Sequence, residues 1–109
     1  MYRIRTLGLA RDPVQGDLAD LVAISQGDVV ALAAFYDRWA RVVRAAVVRS
    51  VPGRGDADID DVVEDVFWHV WRGVPESEGS SLPARHVDRW LNRLIYRSVA
   101  RFYAGELAA

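Results

Sequence analysis

Cysteine and lysine are both absent from the 109-residue sequence. Without cysteine the chain has neither a disulfide framework nor a thiolate zinc site, which is compatible with a reducing compartment. Every apolar run is interrupted by arginine or aspartate before the roughly 20 residues that a membrane-spanning helix needs. Arg3 and Arg5 are not followed by an apolar stretch, so no secretory signal is predicted. We therefore expect a cytoplasmic protein.

The sequence also lacks the motifs of common catalytic and metal sites. His69 and His86 stand apart, with no second ligand at metal-binding spacing. No glycine-rich phosphate loop follows a strand, and no serine lies in a nucleophile elbow. We predict a protein that binds other macromolecules, with no enzymatic activity, cofactor or metal.

The apolar residues that are present recur at helical spacing. Apolar residues make up 51% of the chain and charged residues 27%, an ordinary balance for one soluble domain. After an N-terminal arm (residues 1–16), the pattern predicts a short helix capped by Asp17 and a second helix capped by Asp28 that ends near Arg49. A third helix is expected from Asp56 or Asp58 to about Arg72, and a fourth from about residues 81–84 to Gly105. Residues 106–109 are expected to form a C-terminal tail. The fold class is thus an all-α bundle of about four helices, with a helical domain over residues 17–105.

Apolar stripes define the expected core. The first helix offers Leu18, Leu21 and Val22, and the second Leu32, Phe35, Tyr36, Trp39, Val42, Val43, Ala46 and Val47. The third stripe comprises Ile59, Val62, Val63, Val66, Phe67 and Val70, and the fourth Val87, Trp90, Leu91, Leu94, Ile95, Val99 and Phe102. The i, i+3, i+4 spacing places each set on one helical face.

Acidic residues are concentrated on the third helix. Carboxylates in its first turn suit the helix dipole and are partly structural. Opposite the apolar stripe, however, lie Asp61, Glu64, Asp65 and Trp68. This face is either a solvated surface with one stray aromatic residue or a docking surface for a basic protein partner.

The last helix carries the opposite charge. Its arginines recur at every fourth residue, and Asp88 and Glu106 alone oppose them: Arg85, Arg89, Arg93, Arg97 and Arg101. This spacing drifts by about 40° per step, so the guanidinium groups form a slowly winding row. Such a row suits a phosphate backbone, but it is also compatible with a solvated face or with ion pairs to the acidic helix of the same molecule.

The run from Asp17 to about Arg101 resembles region 2 of bacterial RNA polymerase sigma factors, specifically the extracytoplasmic-function group of the sigma-70 family. The resemblance rests on Leu21-Val22, Gly27-Asp28, Ala31-Leu32 and residues 35–39, on Trp90-Leu91 with Ile95, and most strongly on residues 60–71, which read DDVVEDVFWHVW. It covers about three-quarters of the chain.

The resemblance implies a transcription initiation domain that binds the polymerase core and recognises and melts the promoter −10 element. The third helix would dock on the clamp helices of the beta-prime subunit through Asp61, Glu64, Asp65 and Trp68. The last helix would contact −10 DNA through Arg85, Arg89, Arg93, Arg97 and Arg101. The loop containing Glu78, Gly79, Ser80 and Ser81 corresponds to the family's base-capturing loop.

The sequence departs from the family in ways that leave other functions open. Ile95-Tyr96-Arg97 replaces the usual small residue, arginine and asparagine, and the basic tail that normally follows is absent. A complete sigma factor also has a second domain that reads the −35 element, so the chain is either an excised region 2 or a lone domain. The alternative function is a sigma-like interaction module that binds polymerase, a partner subunit supplying the missing domain, or an anti-sigma factor, without recognising promoters itself. A helical bundle that resembles sigma factors by chance is the third possibility.

Overall fold

The computed structural model describes residues 13–77 and 87–108, and these residues form four α-helices with no strand among them. The helices are α1 (Pro13–Ser25), α2 (Val29–Ser50), α3 (Asp56–Ser77) and α4 (Val87–Ala108). Helices α2 and α3 occupy the centre, since each contacts the other three helices. The predicted all-α bundle is confirmed.

The core forms where the four apolar stripes meet. All six residues of the α3 stripe are buried, as predicted. In the α4 stripe, Val87, Trp90, Leu91, Leu94 and Ile95 are also buried as predicted, while Val99 and Phe102 are partly buried against the core. In α2, Phe35, Val43 and Val47 are fully buried.

Some residues assigned to the core by their spacing lie at the surface. Val22, Tyr36 and Val42 are 39%, 44% and 56% exposed, respectively. Tyr36 nevertheless contacts α3, since its ring packs against Phe67 with the centroids 4.7 Å apart. Ile24, which the predicted α1 stripe omitted, is buried instead.

Asp17 does not cap α1, contrary to the prediction. The helix begins one turn earlier, at Pro13, so the last residues of the expected N-terminal arm are helical. Proline suits a first helical turn because the amide hydrogen it lacks has no intrahelical partner there. Asp17 therefore lies within the helix and is buried against α2.

The predicted cap of α2 is confirmed. Asp28 accepts hydrogen bonds from the backbone amides of Val30 and Ala31, at 2.9 and 3.1 Å. These bonds satisfy two of the donors that a helix N-terminus leaves unpaired. Gly53, with φ of 81°, allows the turn that separates α2 from α3.

Helices α3 and α4 continue past their expected ends. The third helix runs through Gly73 and Pro75 to Ser77, where a proline removes only one hydrogen bond near the terminus. Gly73 still faces α4, with Trp90 Cζ2 3.9 Å from the position of a Cβ atom. The fourth helix includes Gly105 and most of the expected tail, and Glu106 in its last turn pairs with Arg54 between α2 and α3. At the end of α4, a tertiary ion pair thus accompanies a helix that continues through glycine.

Candidate functional site

Part of the acidic cluster on α3 is held by arginines from elsewhere in the chain. Arg44 on α2 pairs with Asp60, and its Nη2 lies 3.4 Å from Asp56 Oδ1. The hydrogen bond to Asp60 raises the pKa of Arg44 above its ordinary value. Arg54 lies 3.5 Å from Asp58. These carboxylates help to join α3 to its neighbours.

Asp65 also has an intramolecular partner, and that partner comes from α4. Arg101 donates to Asp65 Oδ2 from Nε at 3.0 Å and from Nη2 at 2.6 Å, and its Nη2 also donates to Ser98 Oγ at 3.0 Å. Two residues predicted for different partners, Arg101 for DNA and Asp65 for polymerase, therefore bind each other. His69 lies alongside, with Nδ1 2.8 Å from the Asp65 carbonyl oxygen.

Asp61 and Glu64 are exposed and form no ion pair with any residue in the described ranges. Trp68, one helical turn beyond Glu64, is 53% exposed. Arg72 lies over its ring, 5.6 Å from the centroid. Among the described residues, this outer face of α3 thus combines two carboxylates that have no ion pair with a large exposed aromatic side chain.

An open groove of about 750 Å³ lies beside Trp68, between α3 and the first half of α2. Its walls are mainly apolar and aromatic, and its acidic members are Asp61, Glu64 and Asp65. The other lining residues are Val29, Leu32, Tyr36, Phe67, Trp68 and Trp71. We call this the acidic groove. A concave apolar surface edged by carboxylates has the features of a binding site for a basic, partly apolar partner.

The α2 wall of the acidic groove was missed by sequence reasoning. Tyr36 was assigned to the core, but its ring packs edge-on against Phe67, with centroids 4.7 Å apart, and leaves much of its surface exposed. Val29 is 65% exposed at the start of α2 and lies outside the apolar stripe. The tyrosine itself was a signal, because its hydroxyl favours a half-exposed position.

Three of the predicted DNA-contacting arginines lie on the outer face of α4. Arg89, Arg93 and Arg97 are exposed and have no ion pair with any residue that the structure describes. Tyr96 is 76% exposed beside them. We call these three arginines the arginine row. Arg85 and the predicted loop residues Glu78, Gly79, Ser80 and Ser81 lie outside the described residues.

The described ranges contain no cluster of three or more potential metal-ligating side chains. None of the described helices combines the length and apolar character needed to cross a membrane.

Comparisons with known proteins find no match to this chain among family models, curated proteins or solved structures.

Proposed function

We propose that this chain is a transcription initiation domain that binds RNA polymerase core and contacts the promoter −10 element. The observation that supports it best is the separation of two surfaces of opposite charge whose charged side chains form no ion pair with a described residue. Asp61, Glu64 and Trp68 edge the acidic groove, and the arginine row occupies the outer face of α4. Such an arrangement allows a protein partner and a nucleic acid to bind at the same time.

The acidic groove would bind the clamp helices of the polymerase beta-prime subunit. Its aromatic walls supply apolar contact area, and the exposed indole of Trp68 supplies an anchor of the kind that dominates protein interfaces. Asp61 and Glu64 would pair with basic residues of the partner. Asp65 would act indirectly, because its carboxylate is already held by Arg101.

The arginine row would bind the phosphates of the −10 strand. Guanidinium groups bind phosphate oxygens through paired hydrogen bonds, and such contacts fix the position of the strand without reading its sequence. Arg101 is omitted from this surface because it faces α3. No covalent step is needed, since strand opening would be driven by binding energy.

Capture of purified polymerase core tests the protein interface. We expect the wild-type chain to bind core and the variant Asp61→Arg with Trp68→Ala to lose binding. The matched control, Asp37→Arg with Leu107→Ala, reverses a charge and removes an exposed apolar side chain outside the groove, and it should bind like the wild type. A folded wild-type chain that fails to bind core would refute the polymerase assignment.

DNA binding is tested separately with Arg93→Glu combined with Arg97→Glu. This double variant should lose binding to −10 DNA and retain capture of core. Arg97→Glu alone is compared with Arg41→Glu, which makes the same charge change at an exposed position of α2. Promoter opening that survives in the double variant would contradict the DNA assignment.

The second candidate is a protein-interaction module that does not recognise promoters. The ion pair between Arg101 and Asp65 favours it, because one predicted DNA contact is used within the fold. Core capture that depends on Trp68, together with DNA binding that is absent or unaffected by the arginine row, would identify this module.

A further inference from the structure

The acidic groove is large enough to hold a small organic molecule. Its volume of about 750 Å³ lies within the roughly 300–1,000 Å³ of sites that bind drug-sized ligands. Aromatic side chains from two helices line it: Tyr36 of α2, and Phe67, Trp68 and Trp71 of α3. One molecule of that size can therefore contact several rings at once.

Most of this aromatic surface is held in place by the fold. Phe67 is only 6% exposed, and the Tyr36 ring packs edge-on against it with the centroids 4.7 Å apart. Trp71 is partly buried against the core, whereas Trp68 is 53% exposed. Walls that are formed in the free protein lower the entropic cost of binding a ligand.

The charges of the groove favour a cation. Its charged members are all acidic, and two of them, Asp61 and Glu64, form no ion pair within the described ranges. The faces of aromatic rings also attract positive charge. The chain itself gives an example, because the Arg72 guanidinium lies over the Trp68 ring, 5.6 Å from its centroid.

We propose that the acidic groove binds a small hydrophobic organic cation of the quaternary ammonium class. Asp61, Glu64 and Trp68 are three and four residues apart, so they lie on one face of α3. The ammonium group lies against the Trp68 ring beside the two carboxylates, and the apolar part of the ligand contacts Tyr36 and Trp71. Aromatic surfaces are the general means by which proteins recognise quaternary ammonium groups.

Such a ligand would regulate the site that we propose for polymerase. It would cover Trp68 and neutralise Asp61 and Glu64, so the ligand and the polymerase clamp helices would exclude each other. This regulatory consequence rests on the proposed function, whereas binding of the cation does not.

The test uses benzyltrimethylammonium as the probe and measures its binding by isothermal titration calorimetry. Benzoate carries a ring with the opposite charge, and benzyl alcohol carries a ring without charge. We expect the cation alone to bind, at a single site and more weakly as the salt concentration rises. Absence of binding, or equal binding of benzyl alcohol, would overturn the proposal.

Variants locate the bound cation. Trp68→Ala should weaken binding roughly 3- to 30-fold, the loss expected for one cation–π contact. Asp61→Asn with Glu64→Gln alters only exposed side chains, and it should weaken binding and reduce its salt dependence. The matched controls, Tyr96→Ala and Asp37→Asn, remove an exposed ring and an exposed carboxylate outside the groove and should bind like the wild type. Groove variants that bind like these controls, with thermal unfolding unchanged, would place the cation elsewhere and refute the site.

Capture of polymerase core separates failure of the cation site from failure of the polymerase assignment. Probe that binds through the groove and reduces core capture by the wild type supports both. If the probe binds through the groove but the wild type captures no core, the cation site stands and the polymerase assignment is refuted. If core capture depends on Trp68 but the probe does not bind, the cation site alone is refuted. Core capture that saturating probe leaves unchanged refutes the regulatory competition.

Discussion

Replacement of Asp17 by asparagine should destabilise the fold more than its position in a short first helix suggests. Asp17 is 4% exposed, and its Oδ1 accepts three hydrogen bonds. Two come from Arg38, from Nε at 2.9 Å and Nη2 at 2.5 Å, and one from Trp39 Nε1 at 3.0 Å. One carboxylate oxygen thus joins α1 to α2, and the substitution removes its charge with little change in size.

The size of the effect follows from the surroundings of Arg38. Breaking a buried ion pair costs about 3–5 kcal/mol when the remaining charge has no other partner. Arg38, however, keeps Asp20 at 2.7 Å, and its side chain is 35% exposed. Partial burial lowers the pKa of Arg38, but the hydrogen bonds to Asp17 and Asp20 and the charges of these two carboxylates together raise it by more, so it remains charged. We expect a loss of about 2–3 kcal/mol in the free energy of unfolding.

Urea unfolding followed by far-ultraviolet circular dichroism measures this loss directly. The midpoint should fall without a change in slope, and the melting temperature should fall by roughly 10–20 °C. Asp37→Asn is the control, because Asp37 is exposed on α2 and has no ion pair with a described residue. A stability of Asp17→Asn within about 0.5 kcal/mol of that control would refute the argument that Asp17 links the two helices.

Three further substitutions test the stability contributions of the core, of the α2 cap and of an exposed tryptophan. Phe35→Ala removes a ring that is fully buried, so chemical denaturation should show a loss of about 3–5 kcal/mol; a smaller loss would mean that the core collapses into the space. Asp28→Ala removes the two cap hydrogen bonds of α2 and should cost about 1 kcal/mol by the same assay, whereas no change would show that water replaces them. Trp68→Ala should change the free energy of unfolding by less than about 1 kcal/mol, because the side chain is half exposed, and a larger loss would assign Trp68 to the fold rather than to a partner.

Helix content and the main core stripes were predictable because they depend on local spacing. In α3, every residue from Ile59 to Val70 that the period assigned to the core is buried. An amphipathic helix with a 3.6-residue repeat has only one face that can be buried against the rest of the domain. The cap at Asp28 was predictable for a similar reason, since its bonds reach only two and three residues ahead.

Helix ends and stripe edges were less predictable because they depend on neighbours. The extension of α4 beyond Gly105 accompanies an ion pair between Glu106 and Arg54, which are 52 residues apart in the sequence. Tyr36 and Val42 satisfied the apolar spacing of α2 but are 44% and 56% exposed, although the Tyr36 ring contacts Phe67 of α3. Helix propensity and apolar periodicity give no information about contacts between distant parts of the chain.

The candidate site shows the same division between local pattern and tertiary contact. By itself, the sequence determined an acidic helix with a tryptophan opposite its apolar stripe and a winding row of arginines on the last helix. The tertiary structure decided which of these charges pair with each other. Between Arg89 and Arg101 the winding turns the side chain by about 120°, enough to move it from the outer face of α4 to the side that faces α3. There Arg101 donates hydrogen bonds to Asp65, which is 36 residues away in the sequence. Arg89, Arg93 and Arg97 stay exposed on the outer face. Helical geometry determines the angle between these side chains, but only the packing of α4 against α3 determines which of them forms an ion pair with a carboxylate.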